Sequence, residues 1–96
     1  MIVTDHCVSR YIERVTTHSM SNAQAKAEIE AALISPIFSI DISKPPVTGK
    51  ILHGCRSNAG FKFLVLEIRP GIFDCCGPAW YWHEAKKAWR EYANTV

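Results

Sequence analysis

The chain has 96 residues, 48% of them hydrophobic and 21% charged, and a net charge of +2. That is enough for one domain around one core and too little for two. So small a charge excludes a whole-molecule field strong enough to draw nucleic acid or an acidic membrane on its own, and any electrostatic partner must be met by local patches. No run approaches the roughly 18 to 20 apolar residues of a membrane span, and no basic stretch followed by an apolar one opens the chain. A cytoplasmic protein with no membrane partner is expected.

The chain goes almost directly into a helix, predicted over residues 4–15. Thr4 or Asp5 supplies the N-cap, and Val8, Tyr11, Ile12 and Val15 recur at the spacing of one buried stripe. His6, Arg10 and Arg14 follow one another at i, i+4 and i+8. They drift only about 80° around the axis and stand in a row opposite that stripe. After a polar connector, Ser21 with Gln24 three residues on has the form of a capping box. The alanine-rich run that follows, with Ile29 and Leu33 as its seam, predicts a second helix ended at Ser35-Pro36. Two helices so closely joined should pack as a hairpin.

From Ile37 the apolar period changes from helical to alternating. Residues 37–42 read as a short strand whose wetter face carries Ser39 and Asp41. The two prolines and glycine of residues 43–49 make a loop. Residues 50–55, 61–69 and 72–76, separated by short turns, read as an antiparallel meander with its middle strand covered on both faces. Gly77-Pro78 ends the sheet, and Pro78 is well placed to open a closing helix over residues 79–93. In that helix Trp82, Ala85, Trp89, Tyr92 and Ala93 form the apolar stripe and His83, Lys86, Lys87 and Arg90 a basic face. The expected fold is therefore α+β in a single domain, residues 1–96: an N-terminal helical hairpin, a three- to four-stranded antiparallel sheet and a C-terminal amphipathic helix.

Cys7, Cys55, Cys75 and Cys76 have no C-x-x-C spacing, so reduced, mostly buried thiols are expected. The nearest approach to a ligand set, His53 and Cys55 with Cys75 or Cys76, is too sparse to predict a metal, and no cofactor is expected. No nucleophile elbow, phosphate loop, zinc-protease signature or dinucleotide fingerprint occurs.

Three groups could carry chemistry. The row His6, Arg10 and Arg14 pairs guanidinium forks suited to phosphate with an imidazole suited to moving a proton. That is the minimum equipment for cleaving RNA without a metal, and its rival reading is a solvated face on which Glu13 pairs with the arginines. The basic face of the closing helix, with Trp80, Tyr81, His83, Lys86, Lys87 and Arg90 and with Arg56 and Lys62 on the sheet, suits phosphate contact with base stacking, or a protein partner. Either His53 or His83 could serve as a general base, against the plainer reading of a structural or solvated histidine.

The pattern His6-x-x-x-Arg10-x-x-Glu13-Arg14, the capped second helix, the three-strand meander and the closing helix together resemble small phage and mobile-element proteins, among them the BrnT branch of the RelE-type toxins. That resemblance implies an RNA-binding protein that either cleaves RNA without metal or obstructs translation. The alternative is a non-enzymatic phage inhibitor, an anti-CRISPR or other anti-defence protein, that occupies a host protein through exposed Trp80, Tyr81 and the basic face. A third reading is a homodimeric structural module.

Overall fold

The computed structural model describes residues 1–16, 19–43 and 49–77 together with Lys87, and for Cys75 the backbone alone. In chain order the elements are β1 (Ile2–Val3), α1 (Asp5–Arg14), α2 (Asn22–Ile34), β2 (Phe38–Asp41), β3 (Ile51–Arg56), β4 (Lys62–Arg69) and β5 (Ile72–Gly77). The strands form one sheet in the order β1-β5-β4-β3-β2.

Two parts of the expected fold are corrected. The sheet is not a three- to four-stranded antiparallel one. Among the described residues it has five strands and is mixed, because Ile2 and Val3 pair parallel to Ile72 and Phe73 while every other neighbouring pair is antiparallel. The chain thus opens on a strand before its first helix. The C-terminal amphipathic helix expected over residues 79–93 is not among the described elements. It falls outside the described residues except at Lys87, which is helical and exposed.

Both helices start where a hydroxyl can satisfy an otherwise unpaired backbone donor. The Thr4 side chain accepts from the Cys7 N–H at 3.2 Å, and the Ser21 hydroxyl accepts from the Gln24 N–H at 3.1 Å. Thr4 also fastens α1 to the sheet. Its backbone N–H donates to the Phe73 carbonyl at 3.0 Å, and its hydroxyl donates to the Asp74 carboxylate at 2.8 Å.

The helices cover one face of the sheet. Cys7, Val8 and Tyr11 of α1 and Ala25, Ile29, Ala32 and Leu33 of α2 are buried against Cys55, Phe63, Val65, Phe73 and Cys76. At the centre the rings of Tyr11 and Phe63 meet edge to face, 5.0 Å apart. Such a pair contributes about 0.5–1.5 kcal/mol beyond its buried area. The opposite face has its own smaller cluster, Phe38, Ile40 and Leu64 with Leu52. There the Phe38 ring lies flat over Gly54, its direct cross-strand partner.

Candidate functional site

Residues directly opposite one another in a sheet share a face. Ser39 of β2 is opposite His53 of β3, and His53 is opposite Val65 of β4, which is opposite Cys76 of β5. This row runs from solvent to core: Ser39 is exposed, His53 half-buried, and Val65 and Cys76 fully buried. Glu67, two residues beyond Val65 on the same strand, projects from the same face and reaches His53 diagonally.

The result is a short polar chain. Ser39 Oγ lies 2.7 Å from His53 Nδ1, and His53 Nε2 lies 2.7 Å from Glu67 Oε1. The second Glu67 oxygen accepts the Gly71 N–H at 2.8 Å, which ties the acid to the β4–β5 turn. Phe73 flanks the imidazole at a centroid separation of 5.6 Å. Burial works against the Glu67 carboxylate, but the Gly71 N–H and the His53 ring outweigh it and hold its pKa below the ordinary value. An ionised carboxylate can only accept, so a neutral His53 carries its proton on Nε2 and presents Nδ1 as acceptor to the Ser39 hydroxyl.

Of these three residues only His53 was singled out by sequence reasoning. Ser39 appeared merely as part of a wetter strand face. Glu67 was passed over although it is the one acid in the most β-prone run of the chain. Counting outward from the 57–61 turn, with Arg56 opposite Lys62, places Glu67 diagonally across from His53.

The row predicted on α1 is at the surface. His6 and Arg14 are exposed and Arg10 is half-buried, on the flank of α1 that borders the buried Cys7 and Tyr11. Arg10 is bonded to Glu13 at 2.9 Å, the pairing that the rival reading of this face requires. An ion pair so exposed contributes about 0–1 kcal/mol and yields readily to a better anion. Since Thr4 is fixed beside Asp74 while Tyr11 meets Phe63, α1 runs toward the β3–β4 turn. Arg14 therefore comes to the end of the molecule where exposed Arg56 and Lys62 face each other across that hairpin, on the sheet face away from the helices. Trp80, Tyr81, His83, Lys86 and Arg90 lie outside the described residues, and Lys87 is exposed.

The hairpin end is also fixed from within. The Ser57 N–H donates to the Phe61 carbonyl at 2.9 Å, and the Phe61 N–H donates to the Ser57 hydroxyl at 3.1 Å. The Tyr11 hydroxyl donates to Glu28 at 3.4 Å, and burial, resisted by a hydrogen bond to Ser57 and reinforced by the Glu28 charge, pushes the phenol up to about 12. Cys7, Cys55 and Cys76 are buried together in the core as thiols. A hydrogen bond from Cys76 lowers the Cys7 thiol against burial and the Asp74 charge, whereas burial pushes Cys55 up to about 12. His53 and Cys55 share a sheet face, but His53 is engaged by Ser39 and Glu67 while Cys55 belongs to the core. Among the described residues no group of three or more His, Cys, Asp or Glu could hold a metal ion. No described helix is long and apolar enough to cross a membrane.

Comparison with protein-family models, with curated proteins and with solved structures found no match to this chain.

Proposed function

We propose that the protein binds RNA along the outer face of α1 and cleaves it without a metal. The observation that carries this reading is the exposure of His6 and Arg14, with Arg10 between them, on a helix anchored to the sheet at its start and to the hairpin near its end. Guanidinium forks hold phosphate oxygens in two-pronged contacts. His6 takes the 2′-hydroxyl proton, the 2′ oxygen attacks phosphorus, and the P–O bond to the 5′ oxygen of the next nucleotide breaks as that oxygen takes a proton from water, giving a cyclic phosphate; the hydroxide left behind takes the proton from His6. The arginines offset the charge that builds on the phosphorane. Arg56 and Lys62, at the same end of the molecule but on the other face of the sheet, lie outside this contact.

The test is cleavage of a labelled single-stranded RNA, with anisotropy followed as salt is raised. Binding should weaken steeply with salt, and the double substitution Arg10→Ala/Arg14→Ala should abolish cleavage while leaving the circular dichroism spectrum unchanged. An unchanged rate in that variant, or no cleavage by the parent protein, removes the proposal.

A second reading, a phage inhibitor that occupies a host protein, is favoured by a different observation. Ile34, Ile37 and Ile42 are 80%, 48% and 42% exposed, and they flank β2, the strand at the end of the described sheet. Exposed apolar side chains beside a strand edge that no described strand pairs are what a protein partner adds to. Mass in solution separates the readings: a salt-sensitive shift with RNA supports the first, discrete co-purification with one host protein the second, and a clean dimer a homodimeric module.

A further inference from the structure

We infer that Ser39, His53 and Glu67 form a second site, separate from the α1 face, in which Ser39 is the nucleophile for hydrolysis of carboxylic esters. The arrangement has the three parts that make a hydroxyl reactive: a nucleophile within hydrogen-bond reach of a base, and a base held by a third group. Both bonds are 2.7 Å. The exposure gradient also suits the task, because the hydroxyl is open to solvent while the side chains of the base and the acid are only 12% and 16% exposed. Glu67 cannot swing away, since its other oxygen is held by the Gly71 N–H. The imidazole nitrogens are equivalent for this purpose: one must accept from the serine while the other donates to the carboxylate.

The strand edge adds donors for the oxygen on which charge builds. The Ile42 N–H donates to the Lys50 carbonyl at 3.0 Å. In an antiparallel ladder the inward-bonded residues alternate, so with Ser39 opposite His53 and Asp41 opposite Ile51 the N–H groups of Ser39 and Asp41 turn outward, along an edge that no other described strand pairs. Backbone N–H groups so placed can stabilise a tetrahedral oxyanion. The carboxylate of Asp41 is turned onto the Ser43 N–H at 2.8 Å. With Asp41 and Glu67 both beside the site, an anionic phosphodiester is disfavoured, and a neutral or cationic ester is the substrate that fits.

In the reaction the Ser39 Oγ–H proton passes to His53 Nδ1 as Oγ bonds to the acyl carbon. The ester C–O bond then breaks, and the leaving alcohol takes the proton back from His53. Water, deprotonated by His53, hydrolyses the acyl-Ser39 ester and restores the hydroxyl, so that one ester and one water give one acid and one alcohol.

The full chain should be treated with a fluorophosphonate probe, which loses fluoride to an activated serine, and read by intact mass and peptide mapping. One label per chain on Ser39 is expected, absent in Ser39→Ala and His53→Gln and formed at least tenfold more slowly in Glu67→Gln. Hydrolysis of 4-nitrophenyl acetate should follow the same order, with urea melts confirming that each variant is folded. A label elsewhere, no label, or labelling of His53→Gln at the parent rate overturns the site. RNA cleavage by Ser39→Ala at the parent rate is expected, so failure of either activity is read independently of the other.

Discussion

Replacing Gly54 by valine should destabilise the protein by roughly 2–4 kcal/mol, read as a lower urea midpoint with unchanged slope. A Cβ at Gly54 would fall far inside contact distance of three atoms of the Phe38 ring, so the ring must leave its place. Phe38 is only 6% exposed, and turning it out of its cluster with Ile40 and Leu64 forfeits about 1.5–3 kcal/mol of burial. The gain in strand propensity from valine is at most about 1 kcal/mol and cannot compensate. The clash is with one side chain, which makes the cause separable. In the double variant Phe38→Ala/Gly54→Val the two costs should be clearly less than additive. Additive costs, or a single Gly54→Val variant as stable as the parent, would show that the Phe38 ring is not what the glycine accommodates.

Raising the pH should unfold the protein earlier than its composition suggests. Cys55 has an ordinary value of 9.0 and Tyr11 one of 10.0, and burial pushes each up to about 12 in the folded chain. Both groups are acids whose folded value lies above the unfolded one. Below pH 9 neither state has lost these protons and stability is unaffected. Between the unfolded and folded values the unfolded chain releases protons that the folded chain retains, so stability falls as pH rises. Each group costs about 1.4 kcal/mol per pH unit within its window, and by pH 12 the pair costs on the order of 6 kcal/mol, comparable with the whole stability of a small domain. Cys7, whose value is lowered, acts in the opposite sense and earlier: stability rises as pH climbs from its folded value to 9.0, and above that its contribution is constant. Urea melts from pH 7 to 11 check this. Cys55→Ala should remove the part of the decline that begins near pH 9, and Tyr11→Phe the part that begins near pH 10. A melting midpoint flat to pH 11, or unaltered slopes in both variants, would contradict it.

The elements most legible in the sequence are those whose signals are local. Thr4 and Ser21 are followed within three residues by the backbone donors they cap, and the buried positions of α1 recur within single turns, so spacing alone locates both helices. The alternating run around Ser39 and the turn at residues 57–61 likewise announce the β2 and β3–β4 region. β1 had no such signal. It is two residues long, and what makes it a strand is a parallel partner at Ile72 and Phe73. Nothing between Met1 and Thr4 reveals that partner, and this is why the mixed character of the sheet escaped. The candidate sites divide in the same way. The α1 row lies on one helix and is visible as a spacing. Ser39, His53 and Glu67 lie on three strands, and their meeting depends on two registers and a diagonal contact. His53 alone therefore drew notice, and without the residues that give it a role.

The fastening of Thr4 to Phe73 and Asp74 has a bearing on how the molecule assembles. The helix that carries the His6, Arg10 and Arg14 row is made well before the carbonyl and carboxylate that hold its first turn, which belong to the last described strand. Contacts so distant along the chain form late, because a long loop must close before they are rewarded. The anchor of the helix's first turn is therefore among the last contacts to form. Until β5 is in place that first turn lacks its anchor, and a nascent chain halted short of residue 73 leaves Cys7 and Val8 without the cover of Phe73 and Cys76, although Tyr11 already has Phe63 and α2 to pack on.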